Sequence, residues 1–353
     1  MRRMTETGKN SGSSRSGAQP GPRSGARRAA FTSIAVLASG AASLLTAEAV
    51  FRVIDYPFRA TWTPSENALA RFDKDLGWSY RPDHSGEVTP FGEEAEAVPV
   101  RFDRFGSRVR AEGDERDPGR PSVLLIGGSV TMGHGLVYDE TFAGRLEARD
   151  DFALQPVNLG VQAFGTDQAL LMLERHLDMF DTRAVVYTYI SDHVVRNSVG
   201  DRRYLYRGAR VLGTKPLFRL RGDGRLEQVG WPVRARALKY SRVAAALRLA
   251  RIRLLPPPGP ELTRALMLRM KELAEEKGAT FVVVRVVQSP PMSAPGPPVF
   301  QGTDLDVIDP ASDAPAGWDD WVIPGDGHPD ARANEWIAEQ IARRLVGRGG
   351  GAE

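Results

Sequence analysis

Short apolar runs, each closed by a polar turn and followed by a stretch with helical spacing, recur through the middle and end of this 353-residue chain. Residues 122–126, 154–159, 184–190 and 280–287 read as strands, with a shorter one near 305–308. The run at 184–190 is β-branched and aromatic, the pattern of a strand covered on both faces. Between them, 141–148, 167–179 (with Thr166 as N-cap) and 261–277 read as helices, the last stopped by Gly278. A final helix follows Asp330, with Trp336, Ile337, Ile341 and Leu345 on one face. The alternation predicts an α/β fold over 121–347: an open, doubly wound parallel sheet of about five strands between two helical layers.

Other stretches break this rhythm. Residues 198–258 read as an insertion, with a hairpin around Gly222 and Gly224 and an amphipathic helix over 233–254. Residues 55–120 read as an irregular, polar lead-in with scattered aromatics, in which short strands are expected and no helical period is visible. Before it, the run from Ala29 to Ala47 contains no charge. At about 1.5 Å per residue it measures about 28 Å, near the ~30 Å hydrocarbon thickness of a bilayer. Arg23, Arg27 and Arg28 precede it, so 29–54 is expected to be a single-pass anchor, with residues 1–28 cytoplasmic and the rest exported. A cleaved signal peptide is the alternative, with Ala47 and Ala49 flanking the cut. Both export the remaining chain.

Composition narrows the picture further. Seven of the 47 Lys/Arg but one of the 44 Asp/Glu fall in residues 1–28, so the basic balance belongs to a tail expected to be disordered. Residues 202–253 carry fifteen Lys/Arg against Asp223 and Glu227, read as a solvated basic surface, with anionic glycan or lipid headgroups as its other possible partner. Nucleic acid is not an expected partner for an exported region. There is no cysteine, hence no disulfide or thiolate site, and no His/Glu spacing calls for a metal or cofactor.

The chemistry lies at the two ends of the predicted sheet. VLLIGGSVTMGHG places Ser129 in a glycine-rich loop after the first strand, where open α/β sheets hold ligands. Phosphate readings fail: no Gly-Lys-Ser/Thr closes the loop, and glycines 127, 128, 133 and 135 do not fit G-x-G-x-x-G. PGDGHPD sets Asp326 and His328 just before the last helix, at the same sheet edge. A hydroxyl becomes a nucleophile when an imidazole takes its proton and a carboxylate fixes that imidazole. Ser129, His328 and Asp326 are therefore the expected catalytic set. The G-x-S-x-G elbow of the α/β-hydrolases does not fit, because Thr131 stands at its last position and no βα unit precedes the serine. His134 reads as an exposed loop residue and His193 as either a site or a structural residue; His84 and His176 read as structural.

These blocks resemble those of the SGNH (GDSL-type) hydrolases. GGSVTMGHG resembles their first block, NLGVQAFGTDQ their second and DGHP their last; the lead-in KDLGWSYRPD resembles that of membrane-tethered bacterial members. The resemblance implies a flavodoxin-like fold, a Ser129–His328–Asp326 triad, and an oxyanion hole from the N–H groups of Ser129 and Gly160. It implies acyl-ester substrates, often acetyl, on carbohydrate or lipid. Three departures stand out. Gly128 replaces the acidic residue usual before the serine, Asp-x-His replaces Asp-x-x-His, and Ser191 stands where the third block usually supplies an asparagine to the oxyanion hole. Ser191, Asn197 or a backbone N–H is the expected substitute donor. A catalytically degenerate binding or assembly component in envelope polysaccharide handling is the alternative to an esterase or acyltransferase.

Overall fold

A computed structural model of the protein describes residues 22–57, 69–90, 96–205, 212–234, 241–254, 259–286 and 298–349. In chain order the strands are β1 (Ala70–Asp73), β2 (Gly77–Tyr80), β3 (His84–Val88), β4 (Val98–Phe102), β5 (Arg108–Val109), β6 (Pro121–Ile126), β7 (Gln155–Asn158), β8 (Asp181–Tyr189), β9 (Leu217–Leu220), β10 (Leu226–Gly230), β11 (Thr280–Arg285) and β12 (Val307–Ile308). The α-helices are α1 (Pro22–Val53), α2 (Ser129–Met132), α3 (Phe142–Glu147), α4 (Thr166–His176), α5 (Asp192–Asn197), α6 (Arg242–Leu254), α7 (Glu261–Glu276), α8 (Pro310–Asp313) and α9 (Ala331–Gly349).

Five strands, in the order β12-β11-β8-β6-β7, run parallel. Counted along the chain this is the flavodoxin-like order 2-1-3-4-5, and its direction of growth reverses between β6 and β8. The residue-by-residue alternation of each strand feeds two cores. Val123, Leu125, Ala184, Val186, Val282 and Val284 pack with Phe142 and Leu146 of α3 and Trp336, Ile337 and Ile341 of α9. Leu124, Ile126, Val185, Tyr187, Phe281 and Val283 pack on the other face with Leu170 and Leu173 of α4 and Leu266 and Met270 of α7. Asp330 caps α9 as expected, accepting from the N–H groups of Arg332 and Ala333 at 2.9 and 3.1 Å.

The sheet is larger than the pattern predicts. β5, β4 and β3 continue it antiparallel beyond β7, giving eight strands in place of about five. Residues 55–120 are therefore not simply an irregular lead-in. These strands are short and bury only some of their positions, such as Val100, Phe102 and Val109, too few to show a period in the sequence. The β1–β2 hairpin joins the same core. Trp78 Nε1 donates to the Gln162 carbonyl at 3.0 Å, and the Gln162 N–H donates to the Tyr80 hydroxyl at 3.2 Å. Tyr80 in turn stacks on Phe102, centroids 4.0 Å apart.

In the insertion, β9 and β10 form the expected hairpin. Lys215 is no solvated basic residue: it is buried in an ion pair with Asp167 in the first turn of α4. The amphipathic helix begins at Arg242, later than expected; Arg234 forms a β-bridge to Gly213, and 235–240 lie outside the described residues. Residues 1–21 of the basic tail and the proline-rich stretch 287–297 also lie outside them. Within α1, residues 25–53 are long and apolar enough to cross a membrane, and Phe31, Leu37 and Leu45 are exposed. At its end Glu48 accepts from Ser241 Oγ at 2.9 Å and from the Val243 N–H at 3.0 Å, and Asp55 pairs with Arg242 at 2.8 Å.

One charged side chain ties the antiparallel extension to the parallel sheet. Arg108 of β5 is wholly buried, and its guanidinium donates to the carbonyls of Met132, Gly133 and Leu136 at 2.7, 2.7 and 2.5 Å. Burial pulls its pKa down to about 10, so it stays charged at neutral pH. Helix C-terminal carbonyls are acceptors without intrahelical partners, and a cation there also meets the negative end of the helix. Replacing Arg108 by methionine keeps most of the stem and removes the donor from all three carbonyls, of which Gly133 keeps the Leu136 N–H at 3.3 Å. We expect an unfolding free energy lower by on the order of 3 kcal/mol, read from the denaturant midpoint in detergent. A midpoint equal to the parent's would show that the clamp is not structural.

Candidate active site

Ser129 is the first residue of α2, directly beyond the carboxyl end of β6. The turn after α2 depends on glycine. Gly133 and Gly135 have φ of +80° and +78°, and a Cβ on Gly133 would lie 2.3 Å from Thr141 Cγ2. This reversal carries His134 inward: it is 2 % exposed, which corrects the expectation of an exposed loop residue.

The last loop supplies the other two members. The N–H groups of Asp326 and Gly327 donate to the Ile323 carbonyl, both at 3.1 Å, and the Ile323 N–H donates to the His328 carbonyl at 2.8 Å. Asp326 and His328 thus sit on a closed turn rather than an extended segment. The Asp326 carboxylate folds back onto its neighbour, with Oδ1 accepting the His328 N–H at 3.1 Å and meeting ring Nδ1. His328 Nε2 lies 2.8 Å from Ser129 Oγ. Ser129, Asp326 and His328 are therefore brought into one hydrogen-bonded row, within the reach a nucleophile and its base require.

Asp326 serves a second histidine. Its Oδ2 is 3.3 Å from His134 Nε2, its side chain is completely buried, and the two imidazoles are 4.5 Å apart. Donor atoms of His134, Asp326 and His328 lie within 4.8 Å of one another, a set whose composition would suit a divalent metal. Here Oδ1 is hydrogen-bonded to His328, whose outer nitrogen faces the Ser129 hydroxyl, and Oδ2 lies within ion-pair distance of His134.

The second block behaves differently from expectation. Asn158 staples it to α2, with Nδ2 donating to the Thr131 carbonyl at 2.9 Å and Oδ1 accepting the Gly160 N–H at 3.1 Å. The Gly160 N–H is thus spent and is not placed as an oxyanion donor. Its glycine is explained by close approach: a Cβ would stand 2.3 Å from the Met132 amide nitrogen. The N–H groups of Val161, Gln162, Phe164 and Gly165 donate to the Gly127 carbonyl, Tyr80 Oη, the Val161 carbonyl and Gln168 Oε1. Ala163, at φ +66°, is the residue of this loop whose N–H has no acceptor among the described residues. A non-glycine in that region carries strain of order 1 kcal/mol, which the surrounding bonds must hold.

The third block also departs from expectation. Ser191 precedes α5 with helical angles and makes no capping bond. Asn197 is engaged elsewhere, donating to Thr263 Oγ1 at 2.8 Å and accepting from the Asp167 N–H at 3.4 Å. The side chains that approach Gly128 are those of His193 and Arg196. A Cβ built on Gly128 would lie 3.6 Å from His193 Nε2, 3.7 Å from the Phe164 carbonyl and 3.8 Å from Arg196 Nη1. His193 and Arg196 are three residues apart on one helix, a spacing that puts both on one face.

Burial holds the pKa of His328 below the usual imidazole value; Asp326 opposes the shift, and positive charge on His134 or Arg196 adds to it. His328 is then neutral at pH 7 and able to accept the Ser129 proton. An unfolded chain takes up this proton near pH 6.5 while the folded one resists, so acid below about 6.5 also favours unfolding.

No family model matches the chain, and no curated protein matches it. Solved structures to which it is similar include a lipase/acylhydrolase from Enterococcus faecalis, at 15 % identity over 65 % of this chain and 96 % of that one, TM-score 0.38. A psychrotrophic esterase from Pseudoalteromonas sp. is 11 % identical over 66 % and 98 %, TM-score 0.37. A lipolytic protein of the G-D-S-L family from Desulfitobacterium hafniense is 10 % identical over 64 % and 99 %, TM-score 0.37.

The direction of the His328 shift sets a pH profile. The rate of phosphonylation by a fluorophosphonate should be flat above pH 7 and fall with a midpoint below 6.5. His134→Gln, which removes a neighbour that holds the His328 value down, should move that midpoint upward. A parent midpoint above 6.5 would contradict this reading of the base.

Proposed function

We propose that the protein is a serine hydrolase or acyl transferase of the SGNH type, acting on acyl esters. The observation that carries the reading is the 2.8 Å contact between Ser129 Oγ and His328 Nε2, with Asp326 behind the ring. Ser129 Oγ attacks the ester carbonyl as its proton passes to His328. Asp326 holds the Nδ1–H tautomer and stabilises the imidazolium without taking the proton. His328 then protonates the leaving alkoxide, leaving an acyl group on Ser129. A water or an acceptor hydroxyl, deprotonated by the same ring, releases that acyl group. The N–H groups of Ser129 and Ala163 are the backbone donors assigned to the tetrahedral oxyanion.

The substrate class assigned is an acyl ester on glycan or lipid, met outside the cytoplasmic membrane, with 29–54 as a membrane-spanning anchor and residues 1–28 on the cytoplasmic side. The reading is supported by the apolar, exposed helix and the arginines before it. A degenerate binding protein on the same fold would have no use for a buried carboxylate aligned on an imidazole and a serine.

The test is hydrolysis of short-chain p-nitrophenyl esters by the full chain in detergent. Ser129→Ala should abolish turnover, and Asp326→Asn should lower kcat by about four powers of ten with KM little changed. Turnover that survives Ser129→Ala, or none in the parent on any acyl ester, would overturn the enzyme reading. A reporter active only outside the cytoplasm, fused after residue 60, should give signal; silence would contradict the topology.

A further inference from the structure

His193 is a buried histidine outside the triad. It is 1 % exposed at the start of α5, in the first turn after β8, on the rim of the crevice where the sheet order reverses. Its two nitrogens have unlike surroundings. Nδ1 is 2.7 Å from the Tyr187 hydroxyl, which is itself 2.8 Å from Thr166 Oγ1. Nε2 is buried and has no hydrogen-bond partner among the described residues, and it faces the space beside Gly128, the residue before Ser129. A buried polar atom without a partner costs on the order of 1–3 kcal/mol, so such an atom beside a nucleophile calls for an occupant that arrives later.

We infer that His193 Nε2–H is the side-chain oxyanion donor of this enzyme, standing in for the third-block asparagine that Ser191 does not replace. The inference rests on the acyl-ester reading above and deepens it. The Tyr187 hydroxyl is within reach of both Thr166 Oγ1 and Nδ1, and with its proton turned from Thr166 to Nδ1 the proton of the neutral ring sits on Nε2 and points into the site. Burial and the neighbouring Arg196 keep the ring neutral, so it donates a hydrogen bond and transfers no proton. Arg196 Nη1, fixed by the Phe164 carbonyl at 3.1 Å, places a positive charge on the same side of the developing oxyanion.

This assignment joins two departures from the family pattern. At Gly128 a Cβ alone would meet Nε2 in ordinary van der Waals contact, but a carboxylate beyond it would reach Nε2 and Arg196 and take their hydrogen bonds. Glycine before the serine is therefore what keeps the His193 donor open.

The experiment compares parent, Ser129→Ala, His193→Ala, His193→Gln, Tyr187→Phe and Gly128→Asp in ester hydrolysis, with inhibition by an aryl boronic acid, whose tetrahedral serine adduct mimics the oxyanion. His193→Ala should lower kcat by about 10²- to 10³-fold with KM changed little, and weaken the boronate in parallel. His193→Gln, whose amide N–H can occupy the same position, should regain at least about tenfold of that loss, which a merely misfolded variant would not do. Tyr187→Phe and Gly128→Asp should each lower kcat by about tenfold or more. In the parent, nitrogen NMR should show the His193 proton on Nε2. A Ser129-dependent parent whose kcat survives His193→Ala, or whose His193 carries its proton on Nδ1, would overturn the inference and leave the esterase reading standing. A parent no more active than Ser129→Ala would overturn both.

Discussion

The fully buried Asp326 carboxylate is the joint on which the site turns. A lone charge of this kind is unfavourable unless every oxygen is met, and here one oxygen faces His328 and the other His134. Those histidines come from opposite ends of the α/β domain, His134 from the loop after β6 and His328 from the turn before α9. Both oxygens are met only where the loop after β6 and the turn before α9 come together. The closed turn 323–328 shows why an Asp-x-His spacing suffices: Oδ1 accepts both the backbone N–H and the ring of the same residue.

The loop that presents Ser129 is held from three directions by groups that never touch a substrate. Arg108 gathers the carbonyls at the end of α2, Asn158 ties the second block to Thr131, and Gly160 lets the two backbones meet. Arg108 and the segment 158–160 join two different parts of the chain to α2. Arg108 comes from the antiparallel extension, which is why residues 69–109 belong to the functional unit.

The βα rhythm was legible because each parallel strand is buried on both faces and writes a continuous apolar run, as 123–126 and 184–187 do. Ser129, Asp326 and His328 were legible because their spacing within two short blocks is local. His134 and His193 were not. Their roles depend on glycine turns and on a crevice between strands far apart in sequence, and a histidine in a polar stretch carries no signal of burial. Short strands are expected in the lead-in, but their joining of the main sheet as β3 to β5 and the burial of Arg108 are not, for a related reason. Nothing local distinguishes the one arginine whose partners are three carbonyls from the many that face water, and Gly160 looked like a donor until its N–H was found to be taken by Asn158.

The central claim is that Ser129 forms a covalent bond to the acyl group in each cycle. Rapid mixing of the protein with p-nitrophenyl acetate, acid quenching and peptide mass analysis test it directly. The account predicts an acetyl group on the peptide containing Ser129, appearing before steady-state turnover and absent from Ser129→Ala. Turnover with no acyl-peptide at any time, or an acetyl group confined to another residue, would contradict it.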